Sequence, residues 1–198
     1  HKMFYLHKKI LTLMTLVLMP FLWSDISKLN VPEGFVIEEY VTDIDNPRQM
    51  VEGVNFIFVG TRSAGQVYAI NKSDLNDVTV IVSDLDMPTG VALKDGDLYV
   101  AETDTIHIFE NVEKKLLSEE VLISKIFFDD LPRNNMWNPL KKSWHGWKWI
   151  DFGPDGNMYI PVGVPCNICL EPQKKDPRYA AIHKLSNGKL IPVAEGVR

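Results

Sequence analysis

HGWKWIDFGPDGNMYIPVG, residues 145–163, decides the fold. It reads as a strand, a tight Gly-Pro-Asp-Gly turn and a second, apolar strand, with a histidine at the entrance. Asp-Gly turns between apolar runs mark antiparallel hairpins. The same grammar occurs twice upstream. GVALKDGDLYVAE (residues 90–102) turns at Asp95-Gly96, and VNFIFVG (54–60) pairs with GQVYAI (65–70) across Ser63-Ala64-Gly65. IFVG, LYVA and MYIP hold the same place in successive units, spaced about 40 and then about 60 residues apart, a period typical of four-stranded propeller blades.

Outward from each hairpin a third and a weaker fourth strand are expected. These are VTVIVSDL (78–85) in the first unit, TIHIFE (105–110) and EEVLISKI (119–126) in the second, and AAIHKL (180–185) and KLIPVAEG (189–196) in the third. GFVIEEYV (34–41) alternates apolar and polar residues and is expected to be a strand that completes the last blade of the ring. VEKKLLSEEVL (112–122) has helical propensity but is read as a strand-connecting segment, because the repeat demands a strand nearby. The fold class is therefore all-β, with about three blades of a propeller in an incomplete ring. Known rings have roughly four to eight blades, so the sequence reads as the N-terminal part of a longer protein. Two insertions interrupt the third unit, residues 127–144 and 165–178. Long loops on a regular scaffold are where sites are usually built.

Composition bounds the function. The chain has 198 residues, 45% hydrophobic and 24% charged, with a formal net charge of −5. No stretch is basic enough to take a phosphate backbone, so nucleic acid is not an expected partner. Lys8 and Lys9 precede an apolar run from Ile10 to Leu22. That run is of signal-peptide length and short for a membrane span. Residues 1–24 read as a signal peptide or an uncleaved anchor, and residues 25–198 as the propeller domain. Export to the periplasm or medium follows, with membrane contact only through an uncleaved N-terminal segment. The two cysteines, Cys166 and Cys169, are spaced C-x-x-C. An exported chain favours a loop-stapling disulfide, beside the readings of free thiols or half a metal site.

The candidate site residues come from chemistry at the blade ends. His145 can accept a proton near neutrality; the plain alternative is a histidine packed between Trp144 and Trp147. Trp137, Trp144, Trp147 and Trp149 cluster around it. Aromatic faces stack on sugar rings and planar cofactors. Trp137 and Trp144 read as the substrate-binding pair, and Trp147 and Trp149, which alternate on one strand face, as blade core. Arg62 follows a first-unit strand and reads as an anion ligand in the central channel, or else an inter-blade ion pair. His107 and His183 fall in third strands and read as structural. No metal-ligand set is in register.

Taken together, PEGFVIEEYV, NPRQM, VGTRSAGQVYAI, PTGVALKDGDLYVAE, HGWKWIDFGPDGNMYIPVG, PCNIC and EGVR resemble the glucose/sorbosone dehydrogenase family over residues 31–198, about half of such a domain. The resemblance implies a six-bladed propeller that oxidises a sugar or sugar-derived aldehyde or alcohol. The hydride passes to pyrroloquinoline quinone, and an electron acceptor is a further partner. It implies calcium as a second cofactor, with ligands beyond residue 198. His145 would be the general base and Arg198 a cofactor contact, with Gln49 a candidate for a first-blade cofactor-contacting glutamine. Trp144 stands where some glucose-oxidising members carry aspartate, which places the resemblance nearest the sorbosone-type branch. A rival reading is a non-catalytic exported propeller that binds carbohydrate or a protein partner.

Overall fold

Twelve short strands form three separate four-stranded antiparallel sheets in a computed structural model that describes residues 28–133, 145–167 and 171–197. The chain divides into two units, residues 1–39 and 40–198. Of the first, the described residues make a turn closed by the Phe35 amide on the Pro32 carbonyl at 3.1 Å. All strands belong to the second. The first blade is β1 (Pro47–Glu52), β2 (Phe56–Thr61), β3 (Val67–Asn71) and β4 (Val78–Val82). The second is β5 (Gly90–Lys94), β6 (Asp97–Ala101), β7 (Ile106–Phe109) and β8 (Lys125–Phe128). The third is β9 (Asp151–Phe152), β10 (Met158–Val162), β11 (Ala181–Ser186) and β12 (Lys189–Glu195). Within each blade the strands lie side by side in chain order, so every connection is a hairpin. The tightest use left-handed pairs, Asp95-Gly96 and Asn187-Gly188, both residues having positive φ. That geometry matches the strand twist.

Blade faces bury against one another. Phe58, Val67 and Ala69 of the first blade meet Val91, Leu98, Val100 and Phe109 of the second. Ala92, Tyr99 and Ile106 of the second meet Ile150, Met158, Ile160 and Val162 of the third. Each such buried side chain stabilises the fold by about 1.5–3 kcal/mol. Near the axis the first strands are stitched directly. The Gln49 amide donates to the Ile150 carbonyl at 2.7 Å and accepts from the amides of Ile150 and Val91. The Thr89 hydroxyl donates to the Lys148 carbonyl at 2.9 Å. Gly90 has no room for a side chain there, since a Cβ would fall 2.6 Å from that same Lys148 carbonyl oxygen.

Several elements differ from the sequence expectation. The strand expected to open at His145 is confined to β9, Asp151–Phe152. Residues 34–41 form no strand; no ladder hydrogen bond reaches them among the described residues, and alternation alone cannot make a strand without a neighbour. Val112–Leu117 is a helix, α1, rather than a plain connector. It persists because Val112 is fully buried in the core between the first two blades and because Glu113 serves the first blade. Its carboxylate accepts the amides of Asn55 and Phe56 at 2.8 and 3.0 Å. The helix displaces the fourth strand of that blade to Lys125–Phe128, so residues 119–124 are not strand. A second short helix, α2 (Glu171–Lys175), lies in the later insertion.

Candidate functional site

The approach to β9 determines the site. Along residues 145–150, Gly146, Lys148 and Ile150 point inward, while His145, Trp147 and Trp149 do not. The tryptophans expected in the blade core instead line an open cleft of about 470 Å³, with His145, Pro161, Val162, Gly163, Val164 and Asn167 among the other walls. Trp149 is 46% exposed. The reason is the alternation of burial along this approach to β9: Lys148 and Ile150 are buried, so Trp147 and Trp149, on either side of Lys148, face the other way.

His145 adopts a left-handed backbone conformation, φ 55°. Its ring meets the Trp147 indole edge-on, with centroids 5.8 Å apart. On Trp147 also sits the guanidinium of Arg62, from the end of the first blade, 4.3 Å above the ring. Imidazole, indole and guanidinium thus converge from two blades. Cation over indole is an attractive arrangement that also holds the donor fork in place. Among the described residues no carboxylate pairs with Arg62, so its charge is not neutralised there.

Lys148 is the feature that sequence reasoning missed. It is 1% exposed. Its ammonium donates to the Gly146 carbonyl at 2.6 Å and to the Pro132 carbonyl at 3.3 Å. Burial lowers its pKa to about 8, opposed by the charge of Asp104. Asp104 is in turn paired with Arg133 at 3.1 Å, and Arg133 with Asp86 at 3.3 Å.

The remaining candidates separate. Gln49 lies on β1 beside the same strand entrance, but its amide oxygen and nitrogen are both spent on the backbone bonds that stitch the blades. Cys166 is disulfide-bonded and adjoins the cleft residue Asn167. Cys169, Trp137, Trp144 and Arg198 lie outside the described residues, as does the segment 1–24. His183, 1% exposed in β11, donates from Nε2 to the Arg178 carbonyl at 2.8 Å. His107 in β7 links Glu102 and Ser124, each at 2.8 Å. Both histidines therefore serve their blades. Among the described residues, no group of three or more His, Cys, Asp or Glu could hold a metal ion, and no helix is long and apolar enough to cross a membrane.

The cleft fits a planar, anionic ring system in part. Trp147 and Trp149 supply flat walls, and the Arg62 guanidinium, outside the lining but seated on the Trp147 ring, is a fixed donor fork suited to a carbonyl or carboxylate.

No protein-family model and no curated protein matches this sequence. Solved structures do match. The holo form of the pyranose dehydrogenase PQQ domain from Coprinopsis cinerea superposes with a TM-score of 0.60 at 13% identity, covering 79% of this chain and 37% of that one. The PQQ-bound aldose sugar dehydrogenase from Streptomyces coelicolor gives 0.54 at 18% identity, covering 78% and 48%. The calcium structure of the Trichoderma reesei carbohydrate-active enzyme of family AA12 gives 0.54 at 12% identity, covering 70% and 35%. At these identities the likeness shows the fold alone: three blades of a propeller. The present chain spans half or less of the length of each.

Proposed function

We propose that this chain is part of an exported quinone-dependent dehydrogenase. It would oxidise a sugar or a sugar-derived aldehyde or alcohol, and His145 would be its general base. The observation that carries this reading is the convergence of the His145 ring and the Arg62-capped Trp147 on one open cleft. In the reaction, His145 removes the proton from the substrate hydroxyl as the carbon–hydrogen bond breaks. Pyrroloquinoline quinone, when bound, would supply the redox chemistry by taking up the hydride. Trp147 and Trp149 offer flat apolar surface for stacking, and they exclude water from one side of the reacting pair. Arg62 holds a positive charge near the place where negative charge grows as the quinone is reduced. Asn167 supplies an amide at the same rim, suited to a sugar hydroxyl. Arg198 and calcium belong to the expected cofactor site of the complete protein. Trp137 and Trp144 would be substrate contacts. The electron acceptor completes the cycle by reoxidising the cofactor.

The test is His145→Ala in the complete polypeptide, with quinone supplied and a dye as acceptor. General-base loss lowers turnover by about 10²–10⁴-fold, with quinone uptake retained. Near wild-type turnover overturns the assignment. A wild-type protein that binds sugar but neither takes up quinone nor reduces dye is the non-catalytic binding propeller instead.

A further inference from the structure

The chain buries one lysine at the root of the residue proposed as base. A buried ammonium is costly unless its donors are met, and this one is met by two backbone carbonyls rather than by a carboxylate. Those carbonyls belong to Pro132 and Gly146, so a single side chain fastens together two segments that are distant along the chain. The Gly146 carbonyl lies one peptide beyond His145, in the Gly146-Trp147 link. The His145 backbone itself rests against the end of β10, where a Cβ on Gly163 would lie 3.7 Å from the His145 carbonyl oxygen. A non-glycine residue in the left-handed region persists only where its surroundings over-determine it. Lys148 supplies that constraint from below, and its own carbonyl is held by Thr89.

We propose that Lys148 is a positioning residue: through the Gly146 carbonyl, its buried ammonium holds the turn that presents the His145 imidazole beside Trp147 at the cleft. The idea rests on the reading of His145 as base and gives that base a support. The charge that acts on the ammonium is that of Asp104, from the connection between β6 and β7; Asp104 is itself paired with Arg133, which also pairs with Asp86. Asp104 favours the charged lysine and burial opposes it, which leaves the lysine titrating at about 8. Losing that proton removes a charge and a donor from the clasp, so the constraint on His145 weakens on the alkaline side of neutrality.

The experiment follows the carbethoxylation of each histidine by diethyl pyrocarbonate, read by peptide mass spectrometry, in the wild-type chain and in Lys148→Met. The expected result is a several-fold change in the rate at His145, with His107 and His183 unmoved. An unchanged His145 rate overturns the proposal. If Lys148→Met does not fold, the wild-type chain decides. Its His145 reactivity should show a step near the lysine's pKa of about 8 that His107 and His183 do not show, and a profile without that step overturns the proposal. In the complete enzyme, loss of positioning lowers kcat by about 10²-fold while KM changes little, because a small misplacement of a reacting group is sufficient. His145→Ala is measured alongside. If it retains activity, the base assignment fails, whereas the carbethoxylation result still reports whether Lys148 holds the imidazole.

Discussion

Arg62 spends its planar cation on an indole face, and this fixes what its removal should do. Arg62→Met keeps the apolar stem over Trp147 and deletes the charge. On the proposed reading, a cation–π contact of about 0.5–2 kcal/mol and a charge-assisted contact to the quinone would be lost together. Quinone uptake, read as quenching of tryptophan fluorescence in the complete protein, should weaken by about tenfold or more, with the folded fraction unchanged. Equal affinity in the variant would mean that the guanidinium only packs. Lys148 makes a second prediction at this scale. Its folded pKa of about 8 lies below the ordinary lysine value of 10.5. Between these two values the unfolded chain binds more protons than the folded one, so stability rises as pH rises through that window. The gain is on the order of 3 kcal/mol. Urea unfolding at pH 7.5 and pH 10 should show the rise in wild type and not in Lys148→Met. The parity that places this lysine was legible in WKWIDF. Ile150 and Phe152 are apolar and Asp151 is not, so Lys148 shares the inward face and the two tryptophans share the outward face with Asp151. The number of tryptophans suggests core and the alternation contradicts it; the alternation prevails because Ile150 and Phe152 are committed to the inter-blade core.

Among the elements, hairpins were the easiest to read, and the first strand of the first blade was the hardest. β1 is PRQMVE, opening on proline and carrying three polar side chains, so no apolar run marks it. It is a strand because of tertiary contacts: it pairs with β2, and Gln49 ties it to the entrances of the next two blades. Gln49→Ala would leave a carbonyl and two amides near the axis without their partner, at a cost of about 2–4 kcal/mol, read as a lower urea midpoint. A midpoint within error of wild type would mean that water replaces the amide. Helix α1 is a case of local propensity overruling the repeat. VEKKLL has good helix formers, and the blade tolerates the helix because Glu113 closes the Asn55–Phe56 turn of its neighbour. Glu113→Ala should cost about 1.5–3 kcal/mol per hydrogen bond lost from the charged acceptor. Glu113→Gln, which keeps an acceptor at the same reach, should recover part of it in the same denaturation series. Equal losses in the two variants would point to helix packing rather than the carboxylate.

At the scale of the molecule, the repeat was legible because each blade restates one pattern of strand, tight turn and apolar strand, and the site was legible only where a motif marked it. His145 stands out in the sequence, but its neighbours in space do not. Arg62 is distant along the chain, and only the packing of three blades brings it onto Trp147. Among the described residues, apolar side chains also stay exposed on the two outer blades. The second blade is covered on both sides, by the first and the third. The third blade carries exposed Ile191 and Val193, and the first carries Met50, Val54 and Val80 beside its buried cluster of Val59, Tyr68 and Ile70, with Val54 80% exposed. Apolar surface of this extent is a contact face, and its burial is worth about 25 cal/mol per Å². Expressed by itself, the 22.6 kDa chain should therefore run as an oligomer or associate reversibly in light-scattering chromatography. Met50→Glu with Val193→Lys should shift it toward the monomer, because each places a charge on one of the two blades that the association would bury. A wild-type chain that stays monomeric at high concentration would mean that the exposed residues are too scattered to act as a face, and would leave the inter-blade cores to hold three blades unaided.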